Sequence, residues 1–216
     1  MTLFTFLFAL SASASEPAWD TLANNTDWKD VGTRKSKVGE IQISSKRIDG
    51  VGCLHGSTVV DTSPERLVAV TRDMVRAIDW STADLALSEQ LTGDANSFVL
   101  MQYYAAPGWT FAADRFWVIE GEHSIQGNSG KYRWERVSVD GYPDALASAH
   151  ALSKNAIELP TNYGEWTFSR TDAGTEVQYR SCADFGGRLP TGVQVWLNTQ
   201  QLPNLIADLV IEANRR

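Results

Sequence analysis

Between Phe98 and Tyr179 the chain breaks into short segments of strand character at regular spacing, and it then closes on one long amphipathic stretch, Gly192 to Ala213. The segments are Phe98 to Tyr104, Phe111 to Glu120, Tyr132 to Val139, Ala145 to Ala156, Gly164 to Arg170 and Thr175 to Ala183. Turn chemistry fills the gaps: Pro107-Gly108, Gly127-Asn128-Ser129-Gly130, Asp140-Gly141 and Asp172-Ala173-Gly174. Such spacing predicts an antiparallel meander. A sheet of this size must bury one face, and the closing helix is the available cover. Val193, Trp196, Leu197, Leu202, Leu205, Ile206, Leu209 and Val210 give that helix one apolar side, with Pro203 predicting a kink.

The first hundred residues add to the same picture. Trp19 to Trp28 predicts a short helix that exits into a strand through Asp27-Trp28-Lys29-Asp30-Val31. Val38 to Val60 is strand-like, with Ile41 and Ile43 alternating with polar residues and Asp49-Gly50 supplying a hairpin turn. Ser63-Pro64-Glu65 is a helix start, since Ser caps, Pro suits the first helical position and Glu complements the dipole. Leu67, Val70, Met74, Val75 and Ile78 then predict one helix of about four turns ending at Asp79-Trp80. Thr82 to Gln90 predicts a second, weaker helix. The expected fold class is α+β: a curved antiparallel sheet of about nine strands around a long C-terminal helix, with an internal cavity.

At 216 residues the chain suits a single domain. Its formal charge of −7 and pI near 5.0 argue against a nucleic-acid partner, which would need clustered Lys and Arg. No apolar run is long enough to span a bilayer as a helix. Eight Trp, six Tyr and eight Phe stand against three His and two Cys. That balance favours cores and apolar pockets over nucleophiles and metal ligands.

Leu3 to Leu10 is apolar apart from Thr5, and Ala12-x-Ala14 follows. This is the pattern of a signal peptide spanning residues 1–14, although no positive residue precedes the run. The expectation is a periplasmic or secreted protein, or a cytoplasmic one if the segment is instead part of the domain. Cys53 and Cys182 fit either case: an exported protein tolerates a disulfide, and a cytosolic one keeps both as small buried residues.

Several motifs occur in a distinctive order. Trp28-Lys29 precedes the first strands, and Val60-Asp61-Thr62-Ser63-Pro64-Glu65-Arg66-Leu67 enters the helix that ends at Asp79-Trp80. Ala113-Asp114-Arg115-Phe116, Gly164-Glu165-Trp166 and Gly174-Thr175-Glu176-Val177-Gln178-Tyr179 follow, and then Asp184-Phe185-Gly186-Gly187-Arg188-Leu189-Pro190 leads to Leu197-Asn198. In order and spacing, residues 20–213 resemble a START (StAR-related lipid transfer) domain of the helix-grip, Bet v1-like superfamily. The resemblance implies a C-terminal helix lidding a sheet-lined tunnel for one lipid. It also implies that strand three and the last strand are neighbours, which would allow a Cys53–Cys182 bridge if their Cα atoms lie about 4.4 to 6.8 Å apart. The chain departs from the family in reading Asp114-Arg115-Phe116 where members have Arg-Asp-Phe. Glu120 stands where several sterol- and phospholipid-binding members have a buried Arg, and Met101 and Gln102 occupy the strand of its acidic partner. A contact specific to those lipids is left open.

Candidate cavity residues are Met101, Tyr103, Phe116, Trp117, Val118, Glu120, Trp134, Trp166, Tyr179, Val193, Trp196 and Leu197. Large apolar side chains with an occasional polar tip suit a pocket, and plain core packing is the alternative for each ring. Glu120 either points inward with Phe116 and Val118 by two-residue alternation, needing a partner such as Arg133, or stands exposed at a strand end. His55, His123 and His150 lack ligand spacing, and Ser57, Ser63 and Ser181 lack a nucleophile elbow. No catalytic residue, metal or cofactor is therefore expected. The expected partner is a lipid or hydrophobic small molecule, loaded through transient membrane contact. The alternative is an aromatase/cyclase-type enzyme on the same scaffold.

Overall fold

A computed structural model describes residues 18–24, 26–108, 112–187 and 191–216, excepting the side chains at positions 18, 23, 191, 193, 194, 196 and 197. The apolar run Leu3–Leu10 and the cleavage expected after Ala14 lie outside the described residues.

The described residues form α1 (Ala18–Asn24), β1 (Lys29–Ser36), β2 (Gly39–Ile48), β3 (Val51–Val60), α2 (Pro64–Thr71), α3 (Ala77–Trp80), β4 (Leu85–Gly93) and β5 (Ser97–Tyr104). The chain continues through β6 (Arg115–Gln126), β7 (Ser129–Arg136), α4 (Pro143–Leu152), β8 (Ile157–Glu158), β9 (Thr161–Thr171), β10 (Gly174–Asp184) and α5 (Thr191–Arg215). The strands make one open sheet ordered β1-β2-β3-β10-β9-β7-β6-β5-β4, with β8 attached to β6. All pairings are antiparallel except β8 with β6. The α+β sheet around a helix expected from the segment pattern, and the helix-grip implied by the resemblance, are the fold observed. The β2–β3 hairpin turns through Asp49 (φ 49°) and Gly50 (φ 84°), both left-handed as the two-residue turn requires.

Three expectations are corrected. Ala145 to Ala156 is not a strand: Pro143 occupies the first position of α4, and Ala145 and Ala149 bury its i, i+4 face. Thr82 to Gln90 is not a helix but leads into edge strand β4, paired to β5 with Ser88 opposite Gln102. The helix entered at Ser63 does not run four turns. Ser63 Oγ caps α2 by accepting from Arg66 N, but Thr71 Oγ1 bonds back to Val68 O, and the backbone at Asp73 leaves helical geometry before a short 3-10 turn and α3. The second expected strand, starting at Phe111, has its first residue outside the described residues, and the strand begins at Arg115.

The core has two main layers. On the concave face, α5 lies over β1, β2, β3 and β10 and against α2 and α3. Leu202, Ile206, Leu209, Val210 and Ala213 are among its buried residues, and they recur at the spacing of one helical face. Gly56 of β3 permits this approach, since a Cβ there would stand 2.7 Å from Ile206 Cδ1 and 2.9 Å from Leu202 Cδ2. The convex face carries α4 over β5 and β6. At its other end, Leu22 of α1 packs beside Ile48, Cys53 and Cys182. Cys53 and Cys182 are directly opposed on β3 and β10, fully buried and disulfide-bonded, their Cα atoms 4.1 Å apart, just below the expected window.

Candidate functional site

Because side chains alternate along a strand, β5, β6, β7, β9 and β10 each send every second residue to the concave face. There the rings join into one chain of contacts. His123 stacks on Tyr132 at 4.5 Å, Tyr132 lies 5.5 Å from Trp134, and Trp134 lies 5.7 Å from Tyr179. Trp166 meets Tyr179 edge-on at 4.7 Å and Phe168 at 6.1 Å. Two strand glycines make room for the rings. A Cβ on Gly164 would fall 2.3 Å from Trp134 Cζ2, and one on Gly121 would fall 2.7 Å from Tyr132 Cε2. Trp134 stands opposite Gly121 on one side and Gly164 on the other. Trp134 and Trp166 are buried, while Trp117 and Tyr179 are half-buried on the same face.

The polar atoms of this face are few, and several are partnered with each other, while Tyr132 Oη and His123 Nδ1 are buried without a hydrogen-bond partner. Trp117 Nε1 donates to Gln102 Oε1 (3.1 Å), Gln102 Nε2 to Ser88 Oγ (3.1 Å), and Ser88 Oγ to Met74 O (2.8 Å). Trp134 Nε1 donates to Asn162 Oδ1 at 3.0 Å. Burial raises the phenols of Tyr132 and Tyr179 above their ordinary range, Ser181 partly offsetting the shift at Tyr179. His123, bonded to Thr71 Oγ1 at 3.1 Å, is pushed down to about 4 by burial and the nearby Arg72.

The cover is fastened along its C-terminal half. Asp208 Oδ2 accepts from Thr82 N (2.7 Å) and Thr82 Oγ1 (2.6 Å). Thr62 Oγ1 donates to Asn214 Oδ1, and Arg216 reaches Ala69 O and Asp73. An open cleft of about 530 Å³ lies at this end of α5, with Lys37, Val38, Val60, Val210 and Arg215 on its walls.

The expected cavity residues divide by face. Trp117, Trp134, Trp166 and Tyr179 lie on the concave side with α5. Met101, Tyr103, Phe116 and Val118 lie on the convex side, in the cluster under α4. Phe116, Trp117 and Val118 are consecutive in one strand, so they cannot share a face; Trp117 is the concave one. Glu120 follows the parity of Phe116 and Val118 and is exposed. A buried, paired carboxylate of the sheet is instead Glu165, held on the convex side by Arg133 Nε (3.2 Å) and Arg180 Nη1 (3.0 Å). The side chains of Val193, Trp196 and Leu197 lie outside the described residues. Asn162, Phe98 and Tyr132 belong to the concave face without having been singled out, and so does Gln102, noted in the sequence only for its strand. The parity of Trp166 and Trp134 along their own strands would have found Asn162 and Tyr132.

The Asp114-Arg115 motif organises loops. Asp114 accepts from Tyr103 Oη (2.6 Å) and Ala106 N (2.9 Å), while Arg115 Nε donates to Phe185 O at 2.6 Å. Burial and Asp114 lift the Tyr103 phenol to about 12, and burial lowers the Arg115 guanidinium. Asp184 Oδ1 accepts from Gly186 N, the turn role expected of it. Among the described residues no group of three or more His, Cys, Asp or Glu is placed to hold a metal.

No family model matches the chain, and no curated protein sequence matches it. Solved structures do. The STAR-related lipid transfer protein fragment of Xanthomonas axonopodis is 21% identical, over 88% of this chain and 99% of that one, with a TM-score of 0.67. Human STARD10 is 12% identical, over 91% of this chain and 77% of that one, with a TM-score of 0.73. The Zhui aromatase/cyclase of Streptomyces sp. R1128 is 14% identical, over 76% of this chain and 94% of that one, with a TM-score of 0.52. At these identities the likeness is one of fold, and the chain has the helix-grip fold of the START domains.

Proposed function

We propose that the protein binds a lipid or other hydrophobic small molecule between the concave face of its sheet and α5, as a carrier or binding protein without catalysis. The observation that carries this reading is the chain of aromatic contacts from His123 to Phe168, with Trp117 and Tyr179 half-buried beside it. Such a surface gains about 0.8 kcal/mol for each ligand methylene taken out of water. Its neighbours in fold include a protein named for lipid transfer and another named as an aromatase/cyclase. Carriage is favoured because the polar atoms Trp117 Nε1, Gln102 Nε2 and Ser88 Oγ are spent on one another and on Met74 O, leaving none of this set poised for proton transfer.

The same proposal places the protein outside the reducing cytosol, in a bacterial periplasm or beyond the cell. The Cys53–Cys182 disulfide supports this, since such bonds persist in oxidising compartments. A ligand carried in a buried site is collected from a bilayer, so the membrane contact is transient. Lipid extraction and native mass spectrometry of the purified protein test the reading, together with Trp fluorescence during titration with detergent-free lipid vesicles. A co-purifying hydrophobe or a saturable change in Trp emission is expected. Finding neither would overturn it.

A further inference from the structure

The half-buried amide of Asn162, at the start of β9, has one fixed orientation. Its neighbour Trp134 Nε1 stands 3.0 Å away, and an indole N–H can only donate. The atom of Asn162 that meets it is therefore the oxygen, and the NH2 group is turned the other way. That NH2 donates to no protein group among the described residues, and the residue is only half-buried. Trp134 is itself 6% exposed and packed over Gly164, and turning the amide over would set its NH2 against the indole N–H, donor against donor. The result is a rigid pair of N–H donors beside an aromatic wall.

We propose that Asn162 is a specificity-determining residue, whose NH2 group reads an acceptor oxygen on an apolar ligand. This rests on the proposed binding of a hydrophobe at the concave face. The ligand class that fits is neutral: a long apolar body carrying a carbonyl oxygen, as in an ester, ketone or amide. An anion placed here would lose its hydration and gain no full positive charge from Asn162. Arg115, which strand parity puts on the same face, spends its guanidinium on the carbonyls of Ala113, Asp114, Phe185 and Gly186. Arg136, at the end of β7, is paired with Glu158 at 2.9 Å.

Four probes test this in the full chain, followed by Trp fluorescence: methyl palmitate, hexadecanol, palmitate and pyrene. The unaltered protein is expected to bind methyl palmitate more tightly than palmitate. Asn162→Leu should weaken methyl palmitate roughly five- to thirtyfold, the effect of losing one buried hydrogen bond, and leave pyrene unchanged. Asn162→Asp keeps an acceptor for Trp134 and replaces the donors by a second acceptor. It should weaken the ester, which cannot donate, and spare hexadecanol, which can. Should either variant misfold, the Asn162 side-chain amide resonances of the unaltered protein supply the same answer, shifting with methyl palmitate and not with pyrene. Equal ester affinity in all three proteins, or unmoved amide resonances at saturation, would sink the role of Asn162 while leaving hydrophobe binding intact. Failure of the unaltered protein to bind any of the four would instead remove the reading on which it rests.

Discussion

Gly164 lies directly beneath the indole of Trp134, so close that a methyl group on its Cα would stand 2.3 Å from Cζ2 of the ring and 2.5 Å from the carbonyl of Arg180. One of the tryptophans of the concave face is thus seated on the smallest residue of the neighbouring strand. Gly164→Ala is expected to destabilise the fold by about 1 to 3 kcal/mol, the usual range for an overfilled core. Combining it with Trp134→Leu should recover part of that loss, the backbone clash with Arg180 keeping the rest. Urea unfolding of the two single variants and the double variant measures the coupling, and strict additivity would rule the steric account out.

The disulfide should be a substantial part of the stability. It closes a stretch separated by 129 residues, and removing a bond of that kind typically costs about 2 to 4 kcal/mol. Replacing Cys53 and Cys182 together by Ala should shift the urea midpoint down accordingly. Both sulfurs are also fully buried, so dithiothreitol should reduce the native protein far more slowly than the unfolded chain. Rapid reduction without denaturant would contradict the burial.

Acid should weaken the protein in part through His123. Its folded-state pKa is about 4, against an ordinary value of 6.5. Between these limits the unfolded chain holds the extra proton and the folded chain does not, so stability rises with pH across this window. Going down in pH, stability is lost from 6.5 toward about 4 and this contribution then levels off. Allowing for the ring's partial exposure, the loss is on the order of 1 to 3 kcal/mol. Comparing pH-dependent unfolding of the protein with His123→Leu isolates the effect, which requires a shallower slope in the variant.

Asp208 should hold the covering helix in place. Its carboxylate meets both the backbone N–H and the hydroxyl of Thr82 and is 6% exposed. Asp208→Ala leaves the Thr82 N–H without that acceptor, at a cost of about 1 to 3 kcal/mol. Hydrogen exchange read by mass spectrometry should show faster exchange in residues 198–215, with β7 and β9 unaffected. Uniform acceleration over the whole chain would mean that Asp208 serves global stability instead.

The layout was legible in the sequence where side-chain period and turn chemistry agree. Asp49-Gly50 fixed a two-residue hairpin, and the apolar face from Leu202 to Val210 marked the cover. Period failed as a guide where packing chose between two short-range options. The alanines at 145 and 149 suit a helix as readily as a small-residue strand, and Thr71 ended α2 by bonding its own backbone. Among the candidate contacts, Trp117 could be read from bulk alone, but assigning Met101, Tyr103, Phe116 and Val118 to the same space ignored strand parity. Those residues were just as apolar because α4, expected as a strand, covers the other face. Asn162 gave no signal of its own. Parity with Trp166 places it on the concave face, but the direction its amide faces comes only from a hydrogen bond made by a residue 28 positions earlier.

The covalent bond between β3 and β10 also divides the polypeptide into a ring and two tails. The ring, from Cys53 to Cys182, contains β4 through β9, together with α2, α3 and α4. A protease that nicks any loop inside it produces two pieces that still migrate as one until a reductant is added. The covering helix α5 lies entirely on the outer tail. Of the wall it covers, β1 and β2 sit on the other tail, so clipping α5 off would leave only β3 through β10 tied in a closed circuit.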